Sequence, residues 1–181
     1  DTIRVLTERR SVRRYLPRQV DEAALQDIIQ AGLYAPSGMG KQPCELIVVQ
    51  DKATRDELSR MNAAVMDSDG DPFVRMARDV CRHHHERWDG SGYPFYGAPA
   101  LIIVLEDLDI ACCPGFDGAL VMGNLLNAAY SVGVDSCWIN RAQEMFETEE
   151  GKSLLKKWGL TGNYRGVGIC ILGYHDGAYP E

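Results

Sequence analysis

Residues 100–106 read ALIIVLE. A strand turns successive side chains to opposite faces, and here both faces are apolar until the final glutamate. Such a strand belongs inside a sheet, with other layers covering it on both sides. The rest of the chain must therefore supply neighbours and covers. Further strands are expected at residues 45–50 (ELIVVQ), 136–139 and 164–174 (YRGVGICILGY). Helices are expected at 2–9, from an Asp21 N-cap to the residues before Pro36, and at 51–66, 71–87, 116–132 and 147–158. In the second of these, Leu25, Ile28, Ile29, Gly32 and Leu33 share one face. Pro17 stops the first helix from running on. Residues 35–43 (APSGMGKQP) and 89–99 are expected loops. Strands and helices do not alternate regularly, so the pattern predicts an α+β layered domain rather than a doubly wound sheet. The 181 residues carry no repeat or internal linker and are read as one domain, 1–181.

Net charge is −7, which argues against nucleic acid as the main partner. The cations are unevenly placed. Six of the 19 Lys and Arg fall between Arg4 and Arg18, opposed only by Glu8. A basic cluster on an acidic chain suits a small anionic ligand, and it equally suits a solvated charged face. No apolar run approaches the roughly 20 residues of a membrane-spanning helix, so no membrane partner is expected. No signal peptide is visible, although a chain beginning at Asp1 leaves room for a removed upstream piece. The six cysteines contain no C-x-x-C pair, and Cys44, Cys137 and Cys170 sit in or beside apolar runs. Free thiols in a reducing, cytoplasmic compartment are the expectation.

Several chemistries lack their motif. There is no G-x-G-x-x-G after a strand, no Walker loop and no G-x-S-x-G elbow. His83, His84 and His85 are adjacent, and on a helix adjacent side chains diverge by about 100°, so all three cannot face one ion. No metal is expected. Cys112-Cys113 reads as a loop pair, because adjacent cysteines form only strained disulfides.

Four segments, ERRSVRRYLP (8–17), AGLYAPSGMGKQPCELIVVQD (31–51), DGALVMGNLLNAAYSVGVDSCWI (117–139) and RGVGICILGY (165–174), resemble the FMN-dependent nitroreductase family in order and spacing. The resemblance covers most of the chain. It implies a three-layer α/β/α domain with a mixed, largely antiparallel central sheet, dimeric, with FMN where two subunits meet. Arg9 and Arg10 match the family's ribityl and phosphate contacts, Ser11 a hydroxyl on the phosphate or ring edge, and Arg13 the cation near flavin N1. Guanidinium suits these roles, being permanently charged with a fork of donors. At about 4 Å and an effective dielectric near 20, such a cation could contribute a few kcal/mol to the reduced ring. Pro36, Ser37, Met39 and Gln42 match the loop that reaches the partner's flavin. Trp138, Ile139 and Asn140 match the strand end whose backbone N–H faces flavin N5, Asn140 N–H being assigned there, although Trp138 could equally be core packing.

The resemblance further implies a ping-pong oxidoreductase, with NAD(P)H as donor and a nitroaromatic, quinone or similar small acceptor, and no catalytic side chain. Tyr93, Phe95, Tyr96 and Arg141 are candidate pocket residues, the aromatics having a self-packed loop as their alternative. The small residues of 116–132 would let two copies of that helix pack closely, or would serve packing within one chain. Two departures stand out. Asn140-Arg141 replaces the family's usual Gly or Glu, and the sequence stops at Glu181 before the basic tail that usually completes the phosphate site. Alternatives are another flavoenzyme on the same scaffold (flavin fragmentation, enoate reduction, reductive dehalogenation), a flavin-binding protein without activity, and a metal-binding module using His83–His85 and cysteines.

Overall fold

A computed structural model describes residues 1–68 and 95–180. The expected helix at 71–87, with His83–His85, as well as Cys81 and Tyr93, lies outside the described residues. The elements are α1 (Thr2–Glu8), α2 (Glu22–Leu33), a short 3-10 turn (Gly38–Gly40), β1 (Cys44–Val49), α3 (Lys52–Ser68), β2 (Ala100–Asp107), α4 (Phe116–Ser131), β3 (Asp135–Ile139), α5 (Ala142–Glu147), α6 (Glu149–Lys157) and β4 (Tyr164–Gly173).

The four strands form one sheet in the order β1-β2-β4-β3. β2 is interior, as its two apolar faces require, and residues 100–105 are all fully buried. Every strand pair is antiparallel. These pairings agree with the largely antiparallel sheet that the resemblance implies. The parallel pairing among the described residues is a single bridge from Ser11 to Ser136, where the N-terminal segment joins the edge of β3.

The period-2 alternation of β2 sorts the core. Ala100, Ile102 and Val104 face Leu25 and Ile28 of α2 and Val121, Met122, Leu125 and Ala129 of α4. Leu101, Ile103 and Leu105 face Leu58 and Met61 of α3, Ala142, Met145 and Phe146 of α5, and Leu154 and Leu155 of α6. Two helical layers thus enclose the sheet. The α4 layer lies very close, because Gly118 is placed where a Cβ would come within 2.5 Å of Val167. Val167 itself sits in the β4 bulge, between the partners of Val104 and Leu105. Of the small residues on α4, then, Gly118 serves packing within the chain.

The expected helix at 147–158 is present as α6, starting two residues later, and the separate α5 precedes it. Glu147 ends α5, and Thr148, extended at ψ 157°, breaks the run. Its hydroxyl then caps α6 by accepting the Gly151 N–H at 3.0 Å. α1 buries none of its residues in the chain's own core, and Ile3 and Leu6 on it are exposed.

Candidate functional site

Two groups of the expected residues meet along β3. At its start, Val12 N–H donates to the Ser136 carbonyl at 3.1 Å, which lays the arginine-rich segment against the strand. Arg9, Ser11 and Arg13 surround Cys137, and all three oppose the rise that burial imposes on its thiol pKa. Arg9 carries a buried Nη1 with no hydrogen-bond partner among the described residues, and Ser136 a buried Oγ in the same state. Leaving such donors unpaired is costly, so this corner is built for an acceptor. Arg10 turns elsewhere. Its backbone N–H donates to Tyr179 Oη at 2.8 Å, and its guanidinium folds back onto the Thr7 and Arg9 carbonyls at 2.9 and 3.1 Å.

At its end, β3 opens on a cavity of about 470 Å³ whose lining includes Trp138, Asn140, Arg141, Gly115, Arg165 and Val167. The Trp138 ring rests on the backbone of Gly168, where any Cβ would collide with the indole. Trp138 is thus both a partner of the α4-side core and a cavity wall, with a buried Nε1 lacking a partner among the described residues. Ile139 points to the opposite side and packs on the α3-side core. Arg141 starts α5 in the left-handed region at φ 75°, and its guanidinium pairs with Glu144 at 2.7 Å. Four strand steps separate Ser136 from Asn140, about 13 Å at the usual rise.

Beneath the cavity's other wall lies an ion pair that inspection of the sequence missed. Glu106 is fully buried and accepts from Arg165 at 2.6 Å and from the Gly115 N–H at 2.7 Å. The two side chains stand 59 residues apart. The glutamate that ends the apolar run of β2 was the one available signal, a charge on a face otherwise committed to the core. Neighbouring Cys44 is held as a neutral thiol, its pKa pushed up to about 12 by burial first and by the Glu106 and Asp117 carboxylates next.

The turn holding Pro36, Ser37, Met39 and Gln42 is elsewhere. Gly38 N–H donates to Asp117 Oδ1 at 2.9 Å, at the start of α4. Ser37 Oγ accepts the Gln42 N–H at 2.8 Å, Gln42 Nε2 donates to the Ala35 carbonyl at 3.3 Å, and Met39 projects outward, 86% exposed. The arginine segment adjoins the far end of the same helix, where Tyr130 Oη bonds Glu8 at 3.1 Å. The thirteen helical steps from Asp117 to Tyr130 span about 20 Å. Within one chain, the turn and the segment beginning at Glu8 are held a helix-length apart.

Phe95 lies in the α3-side core, 5% exposed, with Tyr96 packed against it. Phe95 thus takes the self-packed position that was its alternative. No group of His, Cys, Asp and Glu suited to a metal occurs among the described residues. No helix among them is long and apolar enough to cross a membrane.

Comparison with known proteins adds the following. The chain is 26% identical over 141 residues (76% of its length) to a Methanothermobacter thermautotrophicus protein named for NADH dehydrogenase/NAD(P)H nitroreductase activity, and spans 60% of that relative. It is 24% identical over 157 residues to the 4-nitrobenzoate reductase of Pseudomonas putida, covering 74% of this chain and 69% of that one. A Bacteroides fragilis nitroreductase crystallised with bound FMN superposes with a TM-score of 0.81 at 30% identity, over 100% of this chain and 92% of that one. A Desulfitobacterium hafniense nitroreductase shares the fold, with a TM-score of 0.84 at 24% identity over 99% and 91%. The family model for nitroreductases matches residues 6–174, and with that match the chain belongs to the nitroreductase family.

Proposed function

We propose that this chain is an FMN-dependent oxidoreductase that takes reducing equivalents from NAD(P)H and passes them to a small acceptor such as a nitroaromatic or a quinone. The observation carrying this reading is β3 itself. One end holds a buried guanidinium nitrogen and a buried hydroxyl that lack partners among the described residues, and the other opens on a cavity walled by an indole. An elongated molecule with an anionic end and a flat ring suits both. The FMN bound to the Bacteroides fragilis relative is such a molecule.

Arg9 and Ser11 would hold the phosphate and ribityl end, as charge-assisted donors in a partly desolvated corner. Arg13, exposed at the edge of the segment, adds positive potential toward the ring. Trp138, Asn140 and the backbone around Ile139 would seat the ring. Bound FMN supplies the two-electron redox chemistry, so no nucleophile or general base is needed from the chain. The acceptor class follows the Pseudomonas putida relative, named for reduction of 4-nitrobenzoate.

The working unit on this reading is a homodimer. α4 exposes Phe116 (75%) and Leu120 (47%), and α1 exposes Ile3 and Leu6. An apolar face of that kind asks for a cover. Two copies of α4 packed antiparallel about a two-fold axis would bring the partner's turn at Asp117 beside this chain's arginine segment near Tyr130. Pro36, Ser37, Met39 and Gln42 would then complete the partner's site.

Purified protein should take up FMN stoichiometrically, and anaerobic NAD(P)H should bleach its absorbance near 450 nm, about a value typical of oxidised flavin. Arg9→Ala should weaken FMN binding at least about tenfold, the loss of one charge-assisted bond. Protein that stays colourless in excess FMN defeats the reading. Colour that NAD(P)H cannot bleach leaves a flavin-binding protein without this activity.

A further inference from the structure

Asn62 is a buried polar side chain that the proposed function leaves without a task. It sits on α3 among the core residues Leu58 and Met61, 1% exposed. Its Nδ2 donates to the Asn140 carbonyl at 3.0 Å and touches Met145 Sδ at 3.1 Å, while Oδ1 is buried with no partner among the described residues. An amide half-satisfied in a core is a burden on stability that an apolar residue of similar size would remove. What Asn62 holds is the peptide linking β3 to α5, at the mouth of the cavity.

The direction of that bond matters. A trans peptide points its C=O and N–H to opposite sides of the chain. The Asn140 carbonyl faces α3, so the Arg141 N–H of the same peptide faces away from it. That is the side of Trp138 and Val167, which line the cavity and pack with the α4-side core. The arrangement is under conformational load, because Arg141 at φ 75° lies in a region that side chains with a Cβ disfavour. Turning the peptide over would carry φ out of that region and withdraw the N–H. The bond from Asn62 opposes that turn.

We propose that Asn62 is a positioning residue for the flavin: by anchoring the Asn140 carbonyl it holds the Arg141 N–H as a fixed donor toward the FMN ring. This rests on the reading of the cavity as the ring site. A fixed donor favours the reduced ring, which carries more negative charge, over the oxidised one. Its effect therefore falls on the redox equilibrium more than on retention of oxidised FMN.

The experiment is anaerobic potentiometric titration of the FMN-loaded protein and of its Asn62→Leu and Asn62→Asp variants, with the affinity for oxidised FMN measured in parallel. Asn62→Leu should leave the oxidised affinity within about threefold and weaken the reduced form about tenfold more, a midpoint lower by about 30 mV for a two-electron couple. Asn62→Asp keeps the shape but sets a carboxylate against the carbonyl, and should shift the midpoint at least as far. Folded, flavin-loaded variants with the wild-type midpoint overturn the proposal. Should neither variant fold, 15N spectra of the wild type decide: the Arg141 amide proton should move downfield on reduction of bound FMN, and an unmoved resonance overturns the proposal. Wild-type protein that binds no FMN fails earlier and separately, at the assignment of the site.

Discussion

The two helical layers solve the same burial problem with opposite outer faces. α6 turns Gly151, Leu154 and Leu155 inward and Lys152, Lys156 and Lys157 outward. Thr148 caps its start, Glu149 and Glu150 occupy its first turn and lysines its last, each charge suited to the helix dipole. α4 also buries one face, through Val121, Met122, Leu125 and Ala129, but sets Phe116, Ala119 and Leu120 against water. Its N-cap residue is Gly115, which offers no side-chain acceptor. One layer is finished as a surface. The other keeps large apolar side chains on its outer face. A helix apolar on every side belongs in a core, and here the chain alone supplies half of one.

The contrast can be broken most forcefully at Leu120. On the homodimer reading, an unpaired charge trapped in the α4 interface would cost several kcal/mol, so Leu120→Glu should give monomers and reduce FMN affinity about a hundredfold or more. Lys156→Glu on α6 should do neither. Sedimentation velocity and flavin titration of both variants provide the check, and indistinguishable behaviour would erase the distinction between the layers. Beneath α4, removing Arg165 leaves the buried Glu106 carboxylate with the Gly115 N–H as its one partner among the described residues. Arg165→Ala should cost about 3 kcal/mol, since breaking a buried pair by one partner is strongly destabilising. At 150–250 residues this is a melting-temperature fall of about 6–12 °C. A fall of only a degree or two would mean that water reaches the pair.

The smallest effect concerns alkaline pH. Burial, first among the causes, raises the pKa of Cys44 to about 12 and raises those of Cys137, Cys170 and Tyr15. Each group keeps its proton in the folded chain at pH values where the unfolded chain has lost it. Their contribution is complete below about pH 9, the ordinary thiol range, and is lost as pH rises toward the folded values. Cys44→Val should make the decline above pH 9.0, where the Cys44 thiol stays protonated in the folded chain up to about 12, measurably shallower in urea unfolding. Equal slopes in wild type and variant would mean that the thiol is solvated.

The parts legible in the sequence are those that short spacings encode. β2 announced itself because both faces are apolar, and the strands fall within a residue of their expected bounds. Thr148 shows where spacing ran out. A six-residue helix started by a left-handed arginine has neither the length nor the start signal of α6, so α5 was not anticipated. For the candidate site, Arg9, Ser11 and Trp138 were singled out through the resemblance. The contacts that orient them were not, because they join distant segments. Gly38 meets Asp117 across 79 residues, and Asn62 meets Asn140 across 78. Nothing in the local pattern marks Asn62 as different from any polar residue on an amphipathic helix, and only the folded chain reveals that it points inward.

The length of α4 has a bearing on dosage. With the turn at one end and the arginine segment at the other, a solitary subunit owns two halves that can never meet each other, and on the shared-site reading each half waits for a stranger. Catalytic output would then scale with the square of subunit abundance at high dilution. Mixing a chain impaired at Arg9 with one impaired at Gln42 would restore a single working pocket per pair, leaving the other doubly damaged.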